Sequence, residues 1–224
     1  MSAVAALIPA FNEEDTLASV IQAVKSCPDI DEVIVVNDGS TDTTSRVAHT
    51  QEGITVLDLP RNCGKGLALL TGLRSTSAPL IVLMDADLRG LTSLHISSVL
   101  APVRQGACMM SVGIIDRGSL WMRFMKWVSG RGAASSLLLL SGQRALSRTL
   151  FENIPRSQLQ RYGFEVALNE YCRKAHLPVA VVDLEGVHHV IKEKKLGVWY
   201  GFIARIKMIG NVVGTLVKIR RAGA

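Results

Sequence analysis

Two aspartates, Asp85 and Asp87, directly follow the apolar run LIVLM at residues 80–84. Such a run, preceded by Ser-Ala-Pro at 77–79, predicts a strand buried on both faces of a parallel sheet. Open α/β sheets bind ligands at the carboxyl ends of their strands, and alternate residues of an extended segment point the same way. The two carboxylates are therefore expected to converge on a divalent cation, Mg²⁺ or Mn²⁺, that also holds substrate phosphates. A solvated acidic turn is the alternative that this motif alone leaves open.

A second group with chemical potential is Lys65, which stands in the sequence Gly-Lys-Gly at 64–66 before a helical apolar pattern at 67–73. Glycines permit close backbone approach, and a lysine at a helix start can reach a diphosphate. The upstream glycine and the following Ser or Thr of a Walker A motif are missing. A kinase or ATPase is therefore disfavoured.

The elements that would position these groups are strand and helix pairs. Residues 3–8 form an apolar strand that breaks at Pro9, and a helix is expected to open at residues 12–16 (NEEDT). A second strand at 33–36 runs into NDGSTD at 37–42, and a third strand lies at 54–57. Asp38 would stand at the same sheet edge, where a carboxylate can accept a hydrogen bond from a nucleobase N–H or a ribose hydroxyl. Thr41 or Asp42 is expected to cap the next helix.

Composition limits the class of protein. The chain has 224 residues with 48% hydrophobic content, which fits one domain with a substantial core. Lys and Arg number 25 against 19 Asp and Glu, a formal charge of +6, which suits anionic partners. The four cysteines have no metal-type spacing, so we expect neither a zinc site nor disulfides. No signal peptide or membrane span is predicted, and the expected location is cytoplasmic.

Four short motifs occur in an order that is characteristic of one family. They are PAFNEE at 9–14, VVNDGSTD at 35–42, GKG at 64–66 and MDADL at 84–88. In this order and at these separations they resemble family 2 glycosyltransferases of the GT-A fold. The resemblance implies an α/β fold that is Rossmann-like, with a mostly parallel central sheet flanked by helices. It implies a domain over residues 1–198, with a nucleotide-binding half at 1–100 and an acceptor half at 101–198, followed by a tail at 199–224.

The resemblance also implies roles for individual residues of the first half. The donor nucleotide, containing uridine or guanosine, would be bound by Pro9, Phe11, Asn12, Glu13, Asp38, Lys65, Asp85 and Ala86. The Asp-x-Asp pair would hold ribose and metal, with Asp87 taking a direct part in catalysis.

The second half would supply the acceptor side. Residues 141–148 (SGQRALSR) resemble the loop that closes over sugar and acceptor, which points to Ser141, Gly142 and Arg144; an ordinary helix start is the alternative. The resemblance also implies a catalytic role for Arg144. In the helix that opens near residue 161, Tyr162 and Glu165 lie near the family's active-site position. Glu165 would act as base toward an acceptor hydroxyl or would hydrogen-bond the donor sugar. The Gln-x-x-Arg-Trp signature of processive synthases is absent, which argues against polymerisation.

A histidine pair, His188 and His189, follows a predicted strand at 178–184. The second half is similar to glucosyl-3-phosphoglycerate synthases and polyprenyl-phosphate glycosyltransferases of the family, and the former use a histidine here as a further metal ligand. By register His189 is preferred, with His188 as the alternative. Imidazole in the ligand set suits Mn²⁺. The basic segment at 191–195 resembles a mobile loop that closes over the diphosphate; the alternative is a solvated charge run.

Two segments suggest contact with a membrane. Residues 119–128 mix large apolar groups with Arg and Lys, and the tail at 199–224 is apolar, aromatic and basic without one acidic residue. An amphipathic C-terminal helix of this kind can lie in a lipid interface, although either segment could instead pack on the domain. We expect peripheral attachment to the inner face of the cell membrane.

The function expected from these features is metal-dependent transfer of glucose or mannose from a nucleotide diphosphate sugar, UDP-linked, to a lipid or polyprenyl phosphate. Transfer to a small soluble acceptor such as a phosphoglycerate is the alternative. A nucleotidyltransferase or a noncatalytic nucleotide-sugar-binding protein would belong to another class. No nucleic-acid partner is expected, and a homodimer is possible.

Overall fold

The computed structural model describes residues 2–115, 141–154 and 163–190. Its strands are β1 (Val4–Ala10), β2 (Glu32–Asn37), β3 (Thr55–Asp58), β4 (Leu80–Leu83), β5 (Leu88–Arg89), β6 (Met110–Ile114), β7 (Arg144–Ser147), β8 (Val179–Asp183) and β9 (His188–His189). Its helices are α1 (Leu17–Lys25), α2 (Thr44–His49), α3 (Lys65–Arg74), α4 (Ser93–Arg104), α5 (Arg148–Glu152) and α6 (Gly163–Lys174).

Seven strands form the main sheet in the order β3-β2-β1-β4-β7-β6-β8. The pairs β1/β2, β2/β3, β1/β4 and β6/β8 are parallel, whereas β7 runs antiparallel to both β4 and β6. Helices α1 and α4 pack one apolar layer against this sheet, and α3, α5 and α6 pack another. The predicted α/β class with a mostly parallel sheet is confirmed.

The register of the parallel strands decides which loops meet. Ala10 is paired with Asn37 across β1 and β2, and Leu7 is paired with Leu83 across β1 and β4. The segments that follow these three strands therefore leave the sheet at one edge. This is the edge at which ligands of open α/β sheets bind.

The first helix begins later than the sequence indicates. We expected it to open at residues 12–16, but α1 starts at Leu17. Asn12 adopts a positive φ of 55°, and its side-chain Oδ1 accepts a hydrogen bond from the backbone N–H of Thr41. Residues 12–16 thus form a loop tied to the neighbouring strand's loop, because their polar side chains hydrogen-bond across to it instead of capping their own helix.

The stretch at 141–148 also differs from the expected loop. Residues 144–147 are strand β7, which inserts between β4 and β6. Its alternating buried residues, among them Ala145 and Leu146, join the cores on the two faces of the sheet. Only residues 141–143 remain outside the strand on the side of the candidate site.

A two-stranded sheet lies beside the main one. Leu88 of β5 is paired with His189 of β9, and Arg89 with His188. The N–H of Val190 donates to the Asp87 carbonyl at 2.9 Å. This pairing brings the histidine pair next to the Asp-x-Asp motif, although about a hundred residues separate them in the sequence.

Several predictions concern residues outside the described ranges: Tyr162, the segment at 119–128, the basic segment at 191–195 and the C-terminal tail at 199–224. Among the described residues, no helix has the length and apolar character needed to span a membrane.

Candidate functional site

A cleft of about 560 Å³ opens at the carboxyl edge of β1, β2 and β4. Its volume falls within the range of small-molecule sites. It is lined by Pro9, Ala10, Phe11, Glu13, Asp38, Asn62, Cys63, Gly64, Lys65, Asp85, Ala86 and Asp87. Of the predicted donor-binding residues, only Asn12 is missing from this lining.

Asn12 supports the cleft from behind. Its backbone N–H donates to Ser40 Oγ at 3.0 Å, while its side chain holds Thr41. The next N–H, that of Glu13, donates to Thr44 Oγ1 at 2.8 Å. These bonds lock the loop after β1 to the loop after β2 and leave the ring of Phe11, which is 37% exposed, facing outward at the mouth of the cleft.

Asp38 is buried at the base of this edge. Its two carboxylate oxygens accept the backbone N–H groups of Cys63 and Gly64 at 2.7 and 2.8 Å. The carboxylate thereby positions the start of α3. Each oxygen still has a second lone pair, so Asp38 can also accept a hydrogen bond from a nucleotide N–H. Gly39 follows with a positive φ of 66°, and a Cβ there would lie 2.3 Å from the Arg61 carbonyl carbon.

Lys65 lies between two carboxylates in the floor of the cleft. Its Nζ is 2.6 Å from Asp85 Oδ1 and 2.7 Å from Glu165 Oε1. Burial acts against the charged ammonium, but these two carboxylates outweigh it and raise the pKa of Lys65. Burial likewise acts against ionised Asp85, and here the ammonium of Lys65 prevails and lowers the pKa of the carboxyl.

Asp85, Asp87 and His189 form the metal-binding type of cluster that the sequence predicts. One ligand atom from each lies within 4.8 Å of the others. His189 Nδ1 is 2.9 Å from Asp87 Oδ1, and this hydrogen bond raises the pKa of the imidazole. Two carboxylates and one imidazole are a donor set that fits Mn²⁺, and to a lesser degree Mg²⁺. His188, its neighbour in β9, is not a member of this cluster.

Gln143 is a site residue that the sequence analysis did not select. Its side chain is fully buried, and its Nε2 donates to Asp85 Oδ2 at 2.8 Å. The signal available in the sequence was a polar amide two residues before the apolar pair Ala145 and Leu146 of β7, because a buried amide needs a polar partner. Asn62, Cys63 and Gly64 were also not selected, since nothing in their types shows that Asp38 folds them into the cleft wall.

Gly142 lies against the same carboxylate. A Cβ at this position would be 2.3 and 2.5 Å from the oxygens of Asp85 and 2.5 Å from Lys65 Nζ. Any side chain would therefore displace the charged pair. The close approach explains the glycine without assigning it a direct contact with acceptor or sugar.

Arg144 does not occupy the position expected of a loop residue over the acceptor. Its side chain is completely buried at the start of β7. The guanidinium donates to the Ser141 carbonyl through Nε and to Asn169 Oδ1 through Nη1, at 2.9 and 2.8 Å. Burial lowers the pKa of Arg144 to about 10. Its described contacts hold the 141–143 segment in place, which corrects the expectation of a residue that closes over substrate.

Glu165 lies in the first turn of α6, with 6% of the residue exposed. It is not part of the cleft lining, but its ion pair with Lys65 connects α6 to the cluster of Asp85, Asp87 and His189. Ser141 directly precedes Gly142, and its hydroxyl donates a hydrogen bond to Gln143 Oε1 at 2.5 Å.

The chain is similar to enzymes that transfer sugars. It is 28% identical over 195 residues to glucosyl-3-phosphoglycerate synthase of Mycobacterium tuberculosis (strain ATCC 25618 / H37Rv), covering 74% of this chain and 59% of the relative. It is 27% identical over 129 residues to undecaprenyl-phosphate 4-deoxy-4-formamido-L-arabinose transferase of Proteus mirabilis (strain HI4320), covering 54% of this chain and 39% of that one. The chain therefore spans less than two thirds of the length of these curated relatives.

The fold of this chain is similar to that of solved structures. Glucosyl-3-phosphoglycerate synthase from Mycobacterium tuberculosis, crystallised with Mn²⁺, UDP-glucose and phosphoglyceric acid, has a TM-score of 0.76 at 27% identity, covering 97% of this chain and 79% of that one. The same enzyme crystallised with Mg²⁺ and UDP has a TM-score of 0.77, also at 27% identity and with the same coverage. The predicted GT-A fold is thereby confirmed.

The family model described as glycosyl transferase family 2 matches residues 5–176. This range includes all four motifs, the cleft and Glu165, and it agrees with the resemblance found in the sequence. The chain belongs to glycosyl transferase family 2.

Proposed function

We propose that this protein transfers a hexose from a nucleoside diphosphate sugar, UDP-linked, to an acceptor hydroxyl with the help of a divalent metal ion. The observation that carries the proposal is the cluster of Asp85, Asp87 and His189 at the floor of a cleft formed by the family's donor-binding motifs. A nucleoside diphosphate sugar needs a cation beside its diphosphate and, next to it, a surface for base and ribose. The cluster and the cleft together can provide both.

The donor nucleotide would lie along the edge of the parallel strands. The exposed ring of Phe11 offers an apolar face to the base, and Pro9 and Ala10 line the adjoining wall. Glu13 and Asp38 would accept hydrogen bonds from base or ribose, while Lys65 is within the same lining to meet the diphosphate. Asp85 and Ala86 would border the ribose.

Mn²⁺ or Mg²⁺ would be held by Asp85, Asp87 and His189 and, when bound, would supply the positive charge that stabilises the departing nucleoside diphosphate. Asp85 is kept ionised by Lys65. Asp87 is kept in register by the β5/β9 pairing and by its bond to His189. The protein thus contributes two carboxylates and one imidazole that already lie close enough together to hold a cation.

The acceptor would approach from the side of Glu165. This carboxylate is buried enough for its interactions to be strong, and its Oε1 lies 2.7 Å from Lys65 Nζ. It would orient the acceptor hydroxyl and receive its proton as the glycosidic bond forms at the sugar carbon and the bond to the diphosphate oxygen breaks. Ser141 and Gly142 would contact the sugar, with Arg144 supporting them from below; the part we assign to Tyr162 rests on its sequence position.

For the acceptor we favour a small phosphorylated hydroxy acid such as a phosphoglycerate. The relatives named glucosyl-3-phosphoglycerate synthase match a larger share of this chain than the undecaprenyl-phosphate transferase does. The lipid or polyprenyl phosphate expected first from the sequence becomes the second candidate, supported by that transferase and by the basic tail. Attachment to a membrane surface, a cytoplasmic location and a homodimer stay predictions from the sequence.

The test is a transfer assay with UDP-[¹⁴C]glucose and Mn²⁺, with 3-phosphoglycerate or undecaprenyl phosphate as acceptor. We expect label in a water-soluble anionic product and release of UDP. Label in the organic phase would instead establish the lipid acceptor. Release of pyrophosphate in a parallel assay with UTP and glucose 1-phosphate would identify a nucleotidyltransferase. Donor binding without turnover across acceptors would identify a noncatalytic binding protein.

A further inference from the structure

The orientation of the Asp85 carboxylate is fixed on three sides. Lys65 donates to Oδ1, Gln143 donates to Oδ2, and the backbone of Gly142 closes the space beneath both oxygens. An aspartate carboxylate otherwise rotates within a broad torsional well. In this site its direction is set by its neighbours and not by its own rotamer preference.

The direction of the Gln143 amide is itself fixed. The hydroxyl of Ser141 donates to Oε1 at 2.5 Å and accepts the backbone N–H of Gln143 at 3.4 Å. Because an ionised carboxylate only accepts hydrogen bonds, Nε2 must be the amide atom that faces Asp85. The Ser141 carbonyl is held in turn by Arg144 Nε at 2.9 Å. The buried guanidinium therefore holds the backbone of Ser141, and the Ser141 hydroxyl holds the amide that donates to Asp85.

The two side-chain donors to Asp85 differ in charge. Lys65 carries a positive charge that would repel a divalent cation placed on the same carboxylate. Gln143 is neutral, so its bond to Oδ2 is compatible with a cation on the remaining lone pairs. Of these two donors, the amide is the one that can hold Asp85 in the same orientation before and after a cation binds.

We propose that Gln143 is a positioning residue, which holds the Asp85 carboxylate in a fixed direction for a divalent cation, and that Ser141 fixes the amide that does so. The inference rests on the proposed function, since it concerns the same cation. Gln143 itself touches neither cation nor sugar. Outer partners of this kind commonly change metal affinity by about 10- to 100-fold.

The test compares Mn²⁺ binding by wild type, Gln143→Met and Ser141→Ala, measured by calorimetry and by the free-Mn²⁺ electron paramagnetic resonance signal. Methionine preserves the length of the side chain and removes both donors. We expect Gln143→Met to weaken Mn²⁺ binding by about 10- to 100-fold, and Ser141→Ala to weaken it by a smaller factor because the amide is then free to flip. UDP binding in the presence of EDTA should weaken by a smaller factor than Mn²⁺ binding in both variants, because the ribose has further contacts in the cleft.

Ser111→Ala is the matched control. Ser111 is fully buried in β6 and its hydroxyl donates to the Val99 carbonyl, away from Asp85. It should lower the melting temperature without changing Mn²⁺ affinity. If Gln143→Met matches wild type within twofold, or weakens metal-free UDP binding as much as Mn²⁺ binding, the positioning role is wrong. If Gln143→Met does not fold, unchanged Mn²⁺ affinity in Ser141→Ala overturns it. Failure of wild type to bind Mn²⁺ would instead contradict the proposed function.

Discussion

Lys65 Nζ lies 2.7 Å from Glu165 Oε1 while it also bonds Asp85. One ammonium group therefore connects a carboxylate of the metal-type cluster to the carboxylate assigned to the acceptor. In the chain these residues stand in three distant segments, at the start of α3, after β4 and in α6. Lys65, Asp85 and Glu165 therefore lie together at the place where donor and acceptor would meet.

Lys65→Met should weaken binding of UDP-glucose and increase the rise in melting temperature that Mn²⁺ causes. Without the ammonium, Asp85 and Glu165 repel each other and the diphosphate loses a cation, so UDP-glucose affinity in Mn²⁺ should fall by at least about tenfold. The same loss removes a competitor of the metal, so Mn²⁺ should raise the melting temperature more than in wild type. Lys25→Met, at an exposed lysine that bonds the Glu52 carbonyl, should behave as wild type. Unchanged donor affinity in Lys65→Met would show that Lys65 has no role in the donor site.

Asp87→Asn should separate metal binding from nucleotide binding. The amide keeps the size of the side chain but removes the charge that a hard cation requires. We expect Mn²⁺-dependent UDP-glucose binding to fall by about 100-fold or more, since a direct ligand matters more than an outer partner. UDP binding in EDTA should be retained. Near-wild-type affinity in Mn²⁺, measured by calorimetry beside the exposed-residue control Glu52→Gln, would rule out Asp87 as a ligand.

Gly142→Ala tests the close approach to Asp85. The added methyl group would overlap both carboxylate oxygens and Lys65 Nζ, so donor binding and melting temperature should both fall. Gly106→Ala is the comparison, because a Cβ at Gly106 meets no atom within 4 Å although its φ is 73°. That variant should lose about 1 kcal/mol of stability from backbone strain and keep its donor affinity. Equal donor affinity in the two variants would contradict the packing argument.

The stability of the fold should depend on pH through Asp29, far from the cleft. The Ser97 hydroxyl donates to this carboxylate and, with burial opposing, the Arg104 guanidinium adds to the effect and lowers the pKa of Asp29. A lowered pKa in the folded state gives stability that is fully present above the unfolded value of about 3.9. That stability is lost as the pH falls through the folded value. Asp29→Asn should therefore be less stable than wild type in urea at pH 7.

The same comparison at lower pH decides the cause. Below the folded pKa both proteins carry an uncharged group at this position, so the difference in free energy of unfolding should shrink toward zero. A difference that is as large at low pH as at pH 7 would mean that the carboxylate's charge is not responsible.

The fold of residues 1–100 could be predicted closely from the sequence. Its strands are continuous apolar runs, and each is followed by polar residues whose types and order are informative, such as Asp38 after β2 and Asp85 after β4. The β-to-α connections are short, so the position of a motif along the chain nearly determines its position at the sheet edge. His189 could be preferred by register because alternate strand residues face opposite sides.

The second half was harder because its contacts are between distant segments. Arg144 resembles a substrate-binding loop residue in sequence, yet β7 inserts antiparallel into the sheet and buries it. Arginine is rarely buried in a protein core, so the residue type of Arg144 indicated an exposed position. Gln143 was overlooked for the same reason, since its partner Asp85 is 58 residues away. Residues 12–16 form a loop and not the expected start of a helix, because their polar groups hydrogen-bond to the 40–44 segment.

The proposed function requires the cleft to bind a nucleotide sugar together with a divalent metal. The decisive measurement is calorimetric titration of the full chain with UDP-glucose, with and without Mn²⁺, and with GDP-mannose as the comparison for base and sugar. We expect Mn²⁺-dependent binding of UDP-glucose at one site, abolished by Asp87→Asn. Absence of binding by either nucleotide sugar in the presence of Mn²⁺ would contradict it.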